Sequence, residues 1–540
     1  MKRRCVTIRA GLTVVALIAI IVLRAVLTSG EGLAAASTPG AEGASPTGEL
    51  RLAMSGIGFM RPSPWQETTF GKGYMTLLYD FLVGANPDGS LSTENGAAER
   101  WEMSSDGLTW TFWLRRDITF HDGTKLTAED VKWSLEMVIK PESIAGFAVR
   151  LRRSISEVEA VDPYTLVIRT QKPDLWLAQD LSMAAGHEMA ILPKAYYERV
   201  GVEGFTANPI GSGPYKWVKG VTGAFIELEA VDQHWAEGVP KYKMVKYMVV
   251  PEESTRIAML QTGEVDIISA SRERVPELQT KGFNVFVKER GSVMGCYFHQ
   301  QWDSVPIADK RVRQALNLAI NREEIAQFIF AGQAKLMAMY PVGSFAVAAG
   351  ADPSLQPYPY DPEKAKQLLA AAGYADGFET TIYSYGREDV PEMARLIEAI
   401  AGYMAEIGVK LNIFATEYPI ARTRRMTRKM PGHISCLGTP NRSNPGHLLT
   451  LIYALHHSSS KFTDHQVPEL DAMIEAAQTA KTEEDVKRIL GDIHRWLYHD
   501  YATLPIAEAS IPFVANPKKV AQWNLGRTLY DNNDRDLIRR

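Results

Sequence analysis

The stretch Ala97–Leu135, AAERWEMSSDGLTWTFWLRRDITFHDGTKLTAEDVKWSL, constrains the fold of this chain more than any other part of it. Trp110–Leu114 reads as an aromatic strand, a composition that fits a pleated, half-buried surface. Ser105-Asp106-Gly107 in front of it forms a turn in which glycine can take a positive φ, and Asp122-Gly123 marks a second turn of the same kind. Thr127-Ala128-Glu129-Asp130 then opens a helix, because a threonine oxygen can accept an unpaired backbone N–H and carboxylates suit the first turn. Val131, Leu135 and Val138 carry that helix on at helical spacing. All of these residues build scaffold, and none supplies a reacting group.

A chain of 540 residues is too long for one small core, so two or three domains are expected. A formal net charge of −4 with 46% hydrophobic residues describes an ordinary globular protein without a bulk attraction to nucleic acid. The sequence holds neither a Walker A loop nor a Gly-x-Gly-x-x-Gly turn.

The order of the pieces in Ala97–Leu135 resembles the signature of the family 5 extracytoplasmic solute-binding proteins, the peptide/nickel class that serves ABC importers. That signature, W-x-x-S-x-D-G-x-T-x-T-F-x-L-R…F-H-D-G-x-x-x-T-A-x-D-V, is met at Trp101, Ser104, Asp106, Gly107, Thr109, Thr111, Phe112, Leu114 and Arg115. It continues at Phe120-His121-Asp122-Gly123 and Thr127-Ala128-Glu129-Asp130-Val131. Further echoes follow in family order: Asn208–Tyr215 (NPIGSGPY), Pro251–Ile268, Asp309–Glu324 (DKRVRQALNLAINREE) and Tyr360–Gly373. The resemblance implies an α/β, two-lobe periplasmic-binding-protein fold, large and cluster C-like, with an extra subdomain in the first lobe and the ligand cleft between lobes. It implies lobe I over residues 49–287, lobe II over 288–499, and a C-terminal segment 500–540 that returns to lobe I. Two crossovers join the lobes, and closure is hinge-like.

Residues 1–36 read as an export signal: Lys2, Arg3, Arg4 and Arg9 form a basic start, Ala10–Leu23 an apolar run, and Ala34-Ala35-Ala36 a small-x-small cleavage site. An uncleaved membrane anchor is the alternative, since Ala10–Leu27 approaches spanning length if Arg24 snorkels. Residues 37–48 are small and polar and form a flexible leader. The expected location is the periplasm. Removal of the signal leaves Cys296 and Cys436. A disulfide is open to them in an oxidising compartment, but two buried free thiols are the expected state.

Periodicity places a strand at Leu50–Met54, a helix at Met75–Leu82, strands at Thr165–Arg169, Ile226–Glu229 and Met244–Val250, and a helix at Thr255–Leu260 stopped by Gly263. Gly282–Val287 and Val293–His299 read as extended. Arg311–Phe330 reads as an amphipathic helix, and Pro362–Ala372 as a helix capped by Asp361. Thr380–Tyr385, Met393–Ile407 and Val409–Ala415 form strand–helix–strand. Two more helices follow at Glu469–Ala480 and Glu483–Tyr498, and the alternation argues for an α/β lobe.

No catalytic constellation emerges. His187-Glu188 lacks the second histidine of a zincin helix, and Gly211-Ser212-Gly213 lacks the spacing of a nucleophile elbow. His456, His457, His465, His494 and His499 form a loose set for which surface or capping roles are expected, so no metal and no cofactor is assigned. Arg422–Lys429 is expected to be a solvated helix face.

The function implied is an exported receptor, not an enzyme, that binds a small-molecule or peptide ligand and delivers it to ABC transporter permease subunits. It is expected to be monomeric and to touch the membrane only through its N-terminal segment. The alternative is an exported interaction or signalling module that keeps the fold without transport. Peptide-binding members of the resembled family carry an aspartate in a G-D-Y-x-x-P loop that pairs with the ligand ammonium. Here that stretch reads Gly438-Thr439-Pro440-Asn441-Arg442. Threonine for aspartate leaves a buried ammonium without its counter-ion, which is costly. The change shifts the expectation toward a sugar-like or anionic solute. Candidate ligand residues are therefore Thr439, Asn441 and Arg442, with Tyr383, Tyr385 and Arg387 after a lobe II strand. Gly58, Arg61 and Trp65 after the first strand, and His187, complete the set; aromatics can stack on a ligand and arginine can clamp a carboxylate.

Overall fold

The computed structural model describes residues 45–86, 89–146, 148–236, 238, 240–299, 301, 303–385, 390–416, 418–430, 434–440, 445–525 and 537. The residues 1–44, and the candidates Arg387, Asn441 and Arg442, lie outside the described residues.

Among the described residues the strands run, in chain order, β1 Glu49–Met54, β2 Gly84–Ala85, β3 Leu91–Ser92, β4 Ala98–Met103, β5 Thr109–Leu114, β6 Ile155–Asp162, β7 Thr165–Thr170, β8 Tyr215–Val221, β9 Phe225–Ala230, β10 Met244–Val249, β11 Ile267–Ser269, β12 Asn284–Phe298, β13 Ala334–Leu336, β14 Phe378–Ser384, β15 Val409–Ala415, β16 Ile434–Pro440 and β17 Thr503–Ala515. One sheet of eleven strands has the order β15-β14-β16-β12-β17-β11-β1-β10-β9-β8, with β13 on β17; β4-β5-β7-β6 form a separate antiparallel sheet.

The long strands β12 and β17 bind the halves of the large sheet. Asn284 of β12 pairs with Ala515 beside β11, while Tyr297 pairs with Thr503 beside β16. The register shifts between Lys288 and Ser292, where the pair passes from one half to the other. One lobe buries Leu52, Leu78, Phe112, Leu166 and Ile226 in a common core that includes the inserted sheet. The other packs Val312, Leu369 and Ile400 on one face of β12-β16-β14 and Val293, Tyr297, Tyr383 and Leu437 on the opposite face. A third cluster, around Leu448, Ile452, Ile474 and Ile493, joins the helices Pro445–His456, Pro468–Thr479 and Glu483–His499. Among the described residues no helix is long and apolar enough to cross a membrane.

The motif stretch folds as its residues dictate. β4 and β5 pair in antiparallel fashion around Gly107 at φ 73°, and Gly123 turns at φ 87°. Thr127 and Asp130 form a reciprocal capping box on the helix Ala128–Val138. The family's second echo serves the same scaffold. His121 accepts at Nδ1 from Gly211 N–H (3.2 Å) and lies 2.9 Å at Nε2 from Gly213 O, which fixes the Nε2–H tautomer. A Cβ on Gly213 would lie 2.5 Å from Leu77 O, so the two glycines let this turn press onto the helix Lys72–Leu78.

Three expectations are corrected. The helix expected over Met75–Leu82 is Lys72–Leu78, because Tyr79 turns extended and Leu82 and Val83 donate to Met189 O and Leu181 O instead. The single helix expected over Arg311–Phe330 is two, Lys310–Leu318 and Arg322–Phe328. Asn321 caps the second helix, and Arg322 folds back to donate to Asn317 O (2.8 Å) and Pro505 O (2.6 Å). Cys296 and Cys436 are not free thiols: they face each other across β12 and β16 and form a disulfide.

Candidate functional site

In an open α/β sheet, ligands bind beyond the carboxyl ends of the parallel strands. Two such ends come from different halves of the sheet: β1, which runs parallel to β10 and β11, and β14, which runs parallel to β15 and β16.

The segment after β1 is organised by one buried carboxylate. Glu67 accepts from Phe59 N–H (2.7 Å), Arg61 N–H (2.9 Å), Thr68 N–H (2.7 Å) and Tyr74 O–H (2.7 Å). Gly58, at φ 83°, gives this carboxylate room: a Cβ there would collide with Glu67 Oε1 and approach Gly71 N to 2.8 Å. Met60 is also left-handed, at φ 57°. The loop so held exposes Phe59 (43% accessible) with the Arg61 guanidinium carbon 5.8 Å from its ring centre. Trp65 is buried against Trp133 and Tyr197, at 5.5 and 5.4 Å between ring centres. His187 is buried as well, its Nε2 3.1 Å from both Pro64 O and Glu67 O, so that its N–H tethers the same loop. Trp65 and His187 thus stand behind the loop and fix its path, while Phe59 and Arg61 stand in front. Phe59 escaped the sequence reading because a single aromatic between Gly58 and Met60 carries no periodic signal.

Beyond β14 and β16 the second half offers an aromatic wall. Tyr383 and Tyr385 are buried in one cluster with Val293, Tyr297, Tyr340 and Leu437. Arg424 donates to Tyr383 O–H (3.3 Å) and lies 4.8 Å from the Phe414 ring centre. Thr439, on β16, faces Val293 of β12, and Val293 faces Glu508 of β17, so the three share one face of the sheet. Thr439 is 8% accessible, and among the described residues its buried hydroxyl has no hydrogen-bond partner. Glu508 is buried and accepts from Ser344 N–H (2.9 Å). The basic run Arg422–Lys429 is solvated in part, as expected, with Thr423 and Thr427–Lys429 exposed, but not at Arg424 and Arg425. Arg425 turns inward and pairs with Asp464 (3.0 Å) over the ring of Tyr297, because the helix Tyr418–Met426 covers that aromatic cluster.

One cluster mimics a nucleophilic triad. His299 Nε2 lies 2.6 Å from Ser435 Oγ and its Nδ1 2.7 Å from Asp464 Oδ1. All three are buried, and burial's upward push on Asp464 is outweighed by Arg425 and His299, which hold its carboxyl below the usual range. The buried set stitches β16, the end of β12 and the 460s loop together. His456 Nδ1 and His465 Nδ1 lie 3.0 Å apart, and both residues are buried, as is His494. Burial lowers His456 to about 4 and His494 to about 3, so all are neutral at pH 7. Among the described residues no group of three or more histidine, cysteine or acidic side chains has metal-holding geometry.

Comparison with known proteins agrees with this geometry. The model of the bacterial extracellular solute-binding proteins, family 5 middle region, matches residues 93–449. Glutathione-binding protein GsiB of Salmonella typhimurium is 31% identical over 350 residues, covering 65% of this chain and 66% of the relative; its counterpart in Escherichia coli O157:H7 matches to the same extent. The matched region thus spans slightly less than two thirds of those relatives. Among solved structures, AgaA of an A. tumefaciens R10 strain, in complex with agropinic acid, superposes with TM-score 0.77 at 22% identity over 91% of this chain and 98% of its own. DppA of Helicobacter pylori with the peptide STSA gives 0.77 at 21%, covering 92% and 99%. NikZ of Campylobacter jejuni with Ni(L-His) gives 0.75 at 22%, covering 89% and 96%. These structures share the two-lobe fold with this chain.

Proposed function

We propose, from the premise that the chain belongs to the bacterial extracellular solute-binding proteins of family 5, that it captures a small, polar, carboxylate-bearing solute between its lobes and delivers it to an ABC importer. The observation that carries this reading is Thr439. By the motif resemblance Thr439 corresponds to the aspartate with which peptide-binding members pair the ligand ammonium, and among the described residues its buried hydroxyl has no hydrogen-bond partner. A hydroxyl can donate to a carboxylate or a polyol but cannot neutralise a buried ammonium. On the loop after β1, Arg61 stands exposed and its backbone is held by Glu67, suited to a bidentate grip on a carboxylate, with Phe59 beside it for stacking. In sequence, Arg387 and Arg442 follow Tyr385 and Thr439 closely and add cationic residues to those segments.

GsiB is named as a glutathione-binding protein and AgaA was solved with agropinic acid, and both compounds carry carboxylates; the ammonium that glutathione also carries would be met by Glu508, which shares the sheet face of Thr439, and not by Thr439 itself. Such a receptor works by shifting from open to closed lobes through contacts made only when closed. Its place is the periplasm, reached through residues 1–36 acting as a signal or as an anchor, and it acts as a monomer.

A thermal-shift screen of the chain from Ser37 onward tests the reading, because a ligand that binds the native state alone raises the midpoint. Glutathione or an opine acid is expected to raise it, and Arg61→Ala to abolish the gain. A shift with free-amine dipeptides alone would overturn the assignment of Thr439.

A further inference from the structure

The inserted subdomain reaches the second lobe at Trp176. Trp176, at the start of the short helix Leu177–Asp180, packs against the third hydrophobic cluster, whose other members all lie between Met339 and Ala502. Its seat is the first turn of the helix Pro445–His456. A Cβ on Gly446 would lie 2.5 Å from Trp176 Cβ and 2.9 Å from its Cδ1. On one flank His447 Nε2 is 3.2 Å from Asp180 Oδ1; on the other the Arg153 guanidinium carbon is 3.7 Å from the Tyr453 ring centre.

The subdomain side is built in advance of contact. Asp174 accepts from Arg150 (2.8 and 2.7 Å), from Trp176 N–H (3.1 Å) and from Ser154 O–H. Trp110 Nε1–H donates to Asp174 O (2.9 Å), and Arg150 also pairs with Asp180 (2.8 Å). Every one of these partners lies on the subdomain, so Trp176 is aimed by its own lobe.

We infer that Trp176 and Gly446 form a knob-and-seat clasp, flanked by Asp180–His447 and Arg153–Tyr453, that holds the closed state of the cleft and contributes to ligand affinity without touching ligand. The inference rests on the proposed receptor that opens and closes. The clasp joins a subdomain segment to a lobe II helix, two segments that share no strand, so hinge opening separates it. Gly446 is required by the seat and not by its helix, where alanine is the better helix former.

The test is the distribution of distances between spin labels at the exposed positions Glu157 and Lys461 of the full chain, with and without glutathione, beside glutathione titrations. Gly446→Ala is expected to lose the short-distance population and to weaken glutathione binding by about tenfold or more, while keeping the far-UV circular dichroism and melting midpoint of the parent. Trp176→Ala is expected to weaken binding likewise. Trp176→Ala/Gly446→Ala is expected to match Trp176→Ala alone, because the knob that alanine would strike is gone. Gly446→Ala and Trp176→Ala closing and binding like the parent would overturn the clasp while leaving the receptor intact. A parent that never shows a short-distance population would overturn both.

Discussion

Replacing Glu67 by glutamine tests how the loop after β1 is held. The carboxylate serves two groups of donors: Oε1 takes the N–H groups of Phe59 and Thr68, and Oε2 takes the Arg61 N–H and the Tyr74 hydroxyl. Glutamine keeps the shape but offers one acceptor oxygen. With its amide nitrogen at the Oε2 position, the Tyr74 hydroxyl can rotate and accept, but the Arg61 N–H meets another donor. The flipped amide instead strands the N–H groups of Phe59 and Thr68, which is worse. One unpaired backbone N–H costs roughly 1–3 kcal/mol, and the loss of charge assistance in the remaining bonds adds about 1 kcal/mol. Glu67→Gln should therefore destabilise the protein by about 2–4 kcal/mol in urea-unfolding curves with an unchanged slope. It should also weaken glutathione binding, since Phe59 and Arg61 lose their fixed presentation. A change under about 0.5 kcal/mol would refute the claim that this carboxylate sets the loop.

Other outcomes follow from single features. Cys296→Ser/Cys436→Ser, or reduction of the disulfide, should cost roughly 2–5 kcal/mol, read as a lower urea midpoint. His456 and His494 titrate near 4 and 3 in the fold, below their unfolded value, so the unfolded chain takes up protons first. Stability should accordingly fall as the pH drops from about 6.5 toward 4, with His494→Leu showing a shallower decline in calorimetry. Arg322 is a buried cation, lowered to about 10 by burial and held by Pro505 O and Asn317 O and Oδ1. Arg322→Ala strands those acceptors and should destabilise by about 2–4 kcal/mol, measured by thermal unfolding.

Much of the scaffold was legible because local chemistry decides it. The hairpin at Gly107, the capping box at Thr127 and the stop at Gly263, left-handed at φ 77°, need no distant partner to specify them. The strand β17 was missed because Pro505 and Pro512 argue against a central strand, yet Pro505 sits where its register with β12 shifts. The helix Pro445–His456 was missed because it is apolar nearly all round, buried between clusters, and shows no single stripe. Arg425 was read as solvated because its partners, Asp464 and Tyr297, are contributed by segments remote in sequence. The same limit applies to the cleft. Thr439 is singled out through a motif, as a candidate, whereas the seating of Trp176 on Gly446 depends on residues 270 positions apart that only the fold brings together.

The central claim is closure on a carboxylate-bearing solute, and small-angle scattering of the chain from Ser37 onward, titrated with glutathione, tests it most directly. The account predicts a saturable decrease in the radius of gyration that Arg61→Ala abolishes. A radius unchanged at saturating glutathione, in a protein that calorimetry shows to have bound it, would contradict the account.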